Sequence, residues 1–126
     1  MNNLKLIIPI APSGNRMWRK NNKTGKTYKT DECKYYQNYI GHIAKKEAKK
    51  QGWVKTVKEK VIIYFWFYWP DARQRDTGNQ KKVILDGLQG VLYDNDCWVL
   101  ERDQDFNIDR ADPRVEIEIL KKSEDE

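Results

Sequence analysis

Asp76 and Asp96 stand twenty positions apart, and between them Asn79, Lys82 and Asp86 recur at spacings of three and four. Carboxylates with open geometry suit Mg2+, which takes oxygen ligands and keeps several of its waters. Such an ion activates a water and neutralises charge on a phosphodiester as it is attacked. A helix over this stretch sets Asn79, Lys82 and Asp86 on one polar stripe, and its N-terminus near Asn79 offers free backbone N–H groups to a phosphate. Lys82 on that stripe is placed to stabilise charge on the scissile phosphate or the leaving oxygen. Arg73, Arg75 and Lys81 add positive charge around the acids. On spacing alone, an ordinary Lys82–Asp86 helix pair beside a surface loop accounts for the same residues, so the acids need support from the rest of the chain.

Other chemistry is thinly supplied. The one histidine, His42, falls in mid-helix and has no serine or cysteine partner that the sequence suggests. Cys33 and Cys97 fit no metal-ligand spacing and point to a reducing compartment rather than a disulfide scaffold. TGKT at Thr24–Thr27 resembles the end of a phosphate-binding P-loop, but Lys20 occupies the position where that motif needs its first glycine. No nucleotide cofactor is expected.

The chain of 126 residues suits one domain with a core that needs no disulfide or metal. No apolar run approaches the roughly 20 residues that cross a bilayer, so the expectation is a soluble, cytoplasmic protein with no membrane partner. The net charge of +5 conceals a division. Met1 to Lys60 holds 15 basic and 4 acidic residues, net +11, whereas Val61 to Glu126 holds 9 and 15, net −6. The first half is suited to a polyanion, and the second contains the acids just described.

The elements that must position these residues can be read in order. LKLIIPI at Leu4–Ile10 reads as a strand that Pro9 confines to an edge. A basic, turn-rich loop follows from Ala11 to Thr30, long enough to suggest function. Thr30 or Asp31 caps a helix to about Lys50, with Tyr36, Tyr39, Ile40, Ile43 and Ala44 inward and Lys34, Lys45, Lys46, Lys49 and Lys50 outward. KVIIYFWFYW at Lys60–Trp69 must be a strand, because alternate faces separate six consecutive aromatics that would crowd a helix. One face is Ile63, Phe65 and Phe67, and the other is Ile62, Tyr64, Trp66 and Tyr68, suited to a wet boundary or a subunit interface. A second helix is expected from about Asn79 to Leu92, with Gly87 and Gly90 permitting close packing. The acidic turn Asp94, Asn95, Asp96 leads to a short strand near Cys97–Glu101, an Asp-rich loop and a final alternating strand at Arg114–Leu120. The class is therefore α+β, a mixed sheet packed with two main helices. One domain at 1–122 and an acidic, frayed tail at 123–126 are expected.

IPIAPSGNR at Ile8–Arg16, PDARQRDTGNQKKVILDGLQGVLYDNDCWV at Pro70–Val99 and the alternating last strand together resemble the RusA family of Holliday junction resolvases. The pattern Arg-Asp-x-Asp-Asn-x-x-Lys, then a helix and an acidic pair before a hydrophobic strand, is specific. The resemblance implies an intertwined homodimer of prokaryotic or phage-derived origin that binds four-way-junction DNA and, with Mg2+, nicks opposed strands in recombination and repair. It places the family's first aspartate at Asp76, its asparagine at Asn79, its lysine at Lys82 and its last aspartate at Asp96, with Asn95 where a further acid often stands. Catalysis and metal binding would fall to Asp76 and Asp96, with Lys82 catalytic and Asn79 and Asn95 supporting. Asn15, Arg16, Arg19, Lys20, Lys23, Lys26, Arg73, Arg75 and Lys81 would bind DNA.

One position departs from the pattern. Gly78 stands where the family's second aspartate belongs, and glycine offers no side-chain oxygen. Asp94 or Asp86 is a candidate replacement, although Asp86 lies about 10 Å along the helix. The alternative function is a catalytically inactive protein that binds four-way junctions or another DNA structure.

Overall fold

The aromatic run forms the central strand of the molecule. The computed structural model describes residues 3–122, apart from the side chains at positions 14 and 15, so the expected tail at 123–126 lies outside the described residues. In chain order the elements are β1 (Asn3–Ile8), α1 (Gly14–Met17), β2 (Trp18–Lys20), β3 (Thr27–Lys29), α2 (Asp31–Gln51), β4 (Val61–Trp69), α3 (Thr77–Leu88), a 3-10 turn at Asp96–Trp98, β5 (Val99–Ile108) and β6 (Arg114–Lys121). The main sheet has the order β1-β6-β4-β5, and β2 and β3 form a separate two-stranded ribbon. β4 pairs in parallel with β5 and antiparallel with β6. The parallel pair needs a crossover, and α3 is that crossover. The α+β class and mixed sheet are as the sequence implies.

Alternation decides the layers. Ile63, Phe65 and Phe67 of β4 join Leu4, Leu6 and Ile8 of β1 and Val115, Ile117 and Ile119 of β6 in one buried cluster. Helix α2 closes it with Cys33, Tyr36, Ile40, Ala44 and Ala48, and α3 with Val83, Ile84, Leu85 and Leu88. Thr30 caps α2 by accepting from Cys33 N–H at 3.1 Å, and Gly52 at φ +77° ends it in the left-handed region that glycine tolerates. Tyr39, expected inward, is 50% exposed because the buried stripe runs through Tyr36, Ile40 and Ala44 instead. The helices cover only one face of β4, and Tyr64, Trp66 and Tyr68 remain half-buried on the other.

Three expectations need correction. The supposed loop before α2 contains α1 and the β2–β3 ribbon, and Thr24, Gly25 and Lys26 of TGKT lie in its turn, where Asn21 N–H donates to Lys26 C=O at 2.8 Å. The Asp-rich loop after Glu101 is the continuation of β5, ten residues long and mostly exposed. Helix α3 starts at Thr77 and ends at Leu88, so Gly90, at φ +85°, belongs to a turn and not to the helix.

Gly87, in contrast, is packed tightly. A Cβ there would lie 2.8 Å from Ile40 Cδ1 and 3.3 Å from the Gln37 Cα. Alanine would gain about 1 kcal/mol in helix propensity, but pushing α2 away costs about 1–3 kcal/mol, so overpacking wins. Gly87→Ala is expected to lower the urea midpoint with little change in slope. A stabilised variant would mean that the α2–α3 contact yields readily.

Candidate active site

Two sequence segments meet in one cleft. Gln80, on the buried stripe of α3, accepts from Ala11 N–H at 3.0 Å and donates to Ala11 C=O at 2.8 Å. This two-way amide contact clamps the segment after β1 to the first turn of α3 and satisfies a buried polar side chain that would otherwise be costly. The cleft between them has a volume of 570 Å³ and is lined by Pro12, Ser13, Arg16, Arg73, Asp76 and Asn79, among others. Asp76 is its acid. It is the N-cap of α3, with its carboxylate accepting from Gly78 N–H at 2.8 Å and Asn79 N–H at 3.4 Å. Its negative charge is favoured there by the helix dipole.

The remaining candidates separate along α3. Lys82 is exposed, and its ammonium stands 5.1 Å from the centre of the Trp18 ring. Asp86 does not pair with Lys82. Its carboxylate takes Lys29 of β3 as its ion-pair partner and accepts from Gln37 Nε2 at 3.0 Å. Burial alone would raise the Asp86 pKa, but the hydrogen bonds from Lys29 and Gln37 outweigh it and hold the carboxyl below its usual range. Through Lys29–Asp86 and Trp18–Lys82 the basic ribbon is fastened to α3, with Arg19, Lys20, Lys23 and Lys26 exposed on it. Arg16 is paired with Glu32 at 2.6 Å. Asn15, also expected at the DNA, lies outside the residues whose side chains are described.

The acidic turn lies at the other end. Asp94 accepts from Lys58 N–H at 3.2 Å, and Asn95 caps the 3-10 turn by accepting from Cys97 N–H at 2.9 Å. Asp96 is exposed, and its backbone N–H donates to Gln89 Oε1 at 2.8 Å, just past the C-terminal end of α3. Asp76 and Asp96 are thus held at opposite ends of a twelve-residue helix, which rises about 18 Å. The expectation that Asp76 and Asp96 together hold a metal is not met within one chain. Among the described residues, no three His, Cys, Asp or Glu side chains group as a metal site. Asp76 and Asp96 of one chain are therefore not placed to share a Mg2+ ion.

The sequence profile of the endodeoxyribonuclease RusA family matches residues 8–120. The chain belongs to that family. It is 31% identical over 88 residues to the crossover junction endodeoxyribonuclease RusA of Escherichia coli strain K12, covering 70% of this chain and 68% of that protein. The proteins of the same name from Shigella sonnei and from Enterobacteria phage 82 match with the same identity and coverage. Within the RusA pattern, the structure places Asp76, Asn79 and the position of Gly78 together at the start of α3.

Some contacts of this region were not legible in the sequence. Lys81, expected at the DNA, forms ion pairs with Glu101 at 3.2 Å and Asp103 at 3.1 Å on β5. Burial opposes its charge, but these hydrogen bonds outweigh that and hold its pKa above the usual lysine value. Asp103 also lies 3.5 Å from Thr77 Oγ1, so β5 presents an acid to the first turn of α3. The pairing of β5 with β4 creates this contact, and nothing local in the sequence marks it. Gln80 had a signal: it shares the four-residue spacing of the apolar Ile84 and Leu88, which marks a polar group on a buried stripe.

Proposed function

We propose that this chain is a Mg2+-dependent, structure-specific endodeoxyribonuclease that acts as a homodimer, nicking opposed strands of four-way junctions in recombination and repair. The observation that carries the reading is the cleft at the start of α3. There a capping carboxylate, Asp76, lines the same space as Asn79 and two exposed arginines, Arg16 and Arg73, on segments clamped by Gln80. The arginines are suited to hold a DNA backbone, and the ribbon with the Lys-rich face of α2 extends the positive surface. Binding of this kind follows backbone shape and weakens steeply with salt.

The metal requirement is a reason for the dimer. A two-fold relation that sets the α3 axes antiparallel brings Asp76 of one copy to the end that carries Asp96 of the other, and opposed strands need two symmetric sites. Mg2+ would supply the activated water. Asp76 and Asp96 would hold it, Asn79 would orient the cap, and Lys82 would offset charge developing on the phosphate. The second reading, a junction-binding protein that has lost cleavage, is favoured by Gly78, which leaves the first turn one carboxylate short.

Incubation of the protein with a synthetic four-way junction and with linear duplex, in Mg2+ and in EDTA, separates the two. Paired nicks in the junction that EDTA abolishes are the expected result. A retarded junction with intact strands at excess protein would establish the binding protein instead. Equal affinity for both DNAs would exclude a junction-selective role.

A further inference from the structure

Beside the cleft, a groove of 610 Å³ runs between the end of β4 and the end of β5, lined by Trp69, Arg73, Arg75, Phe106 and Ile108, among others. We propose that this groove holds an unstacked nucleobase of the strand lying in the cleft, an inference that rests on the junction-nuclease reading. The two spaces share Arg73, Gln74 and Arg75, so a base in the groove keeps its phosphate beside the cleft.

The floor of the groove is made by a register change. Phe65 pairs with Asp103 and the next residue, Trp66, with Asp105, so Gln104 is an extra residue in β5. Side chains alternate along a strand, and one extra residue reverses which side they face. Without this shift, Gln104 would pair with Trp66, Asp105 would be the partner of Phe67 and face the groove, and Phe106 would turn to the opposite face. With it, Phe106 pairs with Phe67 and Ile108 with Trp69, and both take the helix side of the sheet. The helices do not reach them: Phe106 is 65% and Ile108 49% exposed. An extra residue that turns a carboxylate away and leaves an aromatic ring open is suited to a flat, anionic ligand.

The rim has the matching charge. The Arg75 guanidinium lies 5.4 Å from the centre of the Trp69 ring and is anchored by Asp71 at 2.9 Å, while Arg73 is exposed and forms no salt bridge among the described residues. An aromatic platform with guanidinium groups beside it fits a nucleotide, the base on the ring and the phosphate on the rim. A second copy is a poorer occupant, because a two-fold contact sets the same arginines against each other.

The test uses the whole protein with two probes: a four-way junction carrying 2-aminopurine at the branch point, and a single-stranded oligonucleotide carrying the same base. Stacking on Phe106 quenches the fluorescence of either probe. Phe106→Ala is expected to lose the quenching and to bind the single strand about tenfold more weakly, and Phe106→Trp to retain both. Unchanged quenching and affinity in Phe106→Ala would overturn the proposal. So would unchanged quenching with loss of self-association in sedimentation, which would give the groove to a second copy. Quenching of the single strand that depends on Phe106, without any binding of the junction, would support the groove and overturn the resolvase reading. No binding of either probe by the unaltered protein would overturn both.

Discussion

An equimolar mixture of Asp76→Asn and Asp96→Asn chains is expected to regain junction nicking that neither chain has alone. The reason is geometric. Asp76 caps the start of α3, and the backbone of Asp96 is tied to Gln89 past its other end. If a site takes one acid from each copy, a mixed dimer has one site with both substitutions and one with neither. Random pairing makes half the dimers mixed, so about a quarter of all sites are intact. The recovered product should carry a nick in one strand and not in two, since each mixed dimer has a single working site. Asparagine is the right replacement at position 76, because it caps a helix about as well as aspartate and leaves α3 in place. Asp76→Ala would confuse loss of charge with loss of the cap. A mixture as inactive as its parents would show that the acids do not act across the dimer.

Gly78→Asp is expected to raise Mg2+-dependent nicking at least tenfold, about 1.4 kcal/mol of barrier. The backbone accepts the change, since Gly78 is not among the residues at positive φ. Space is tighter: a Cβ at Gly78 would stand 3.0 Å from Asp76 Oδ1. The crowded atom is the end of a side chain, and a few tenths of an ångström of rotation relieve it. The cap bond from Gly78 N–H, now 2.8 Å, pays a small part of this. Gly78→Ala is the control, with the same crowding and no carboxylate, and should leave nicking unchanged or lower. Nicking by Gly78→Asp that merely equals the unaltered protein would mean that the missing carboxylate does not limit the site, and that an acid such as Asp103 near Thr77 already serves it.

The elements were legible wherever a side-chain period was strong. Six aromatics in a row could only alternate, and β4 does so. The Thr30 cap and Gly52 bounded α2 to within a residue or two. β5 was not legible beyond Glu101, because Arg102, Asp103, Gln104 and Asp105 have no apolar period. That strand exists because β4 supplies its hydrogen-bonding edge, and its exposed side chains leave little hydrophobic pattern. The β2–β3 ribbon escaped for a similar reason: its basic residues resemble a loop, while Trp18 and Lys29 are held through contacts with α3.

The candidate site divides in the same way. The sequence by itself determined the chemistry available: which acids, amides and cations are present, the Arg-Asp spacing that marks the family, and the absence of a side-chain oxygen at Gly78. These are properties of residue type and local order. Only the tertiary structure decided which of them meet. It tied Asp86 to Lys29, Asp94 to Lys58 and Lys81 to Glu101 and Asp103, and it clamped Ala11 to Gln80. It also held Asp76 and Asp96 a helix length apart, because a helix has a fixed rise per residue and cannot bring its two ends together.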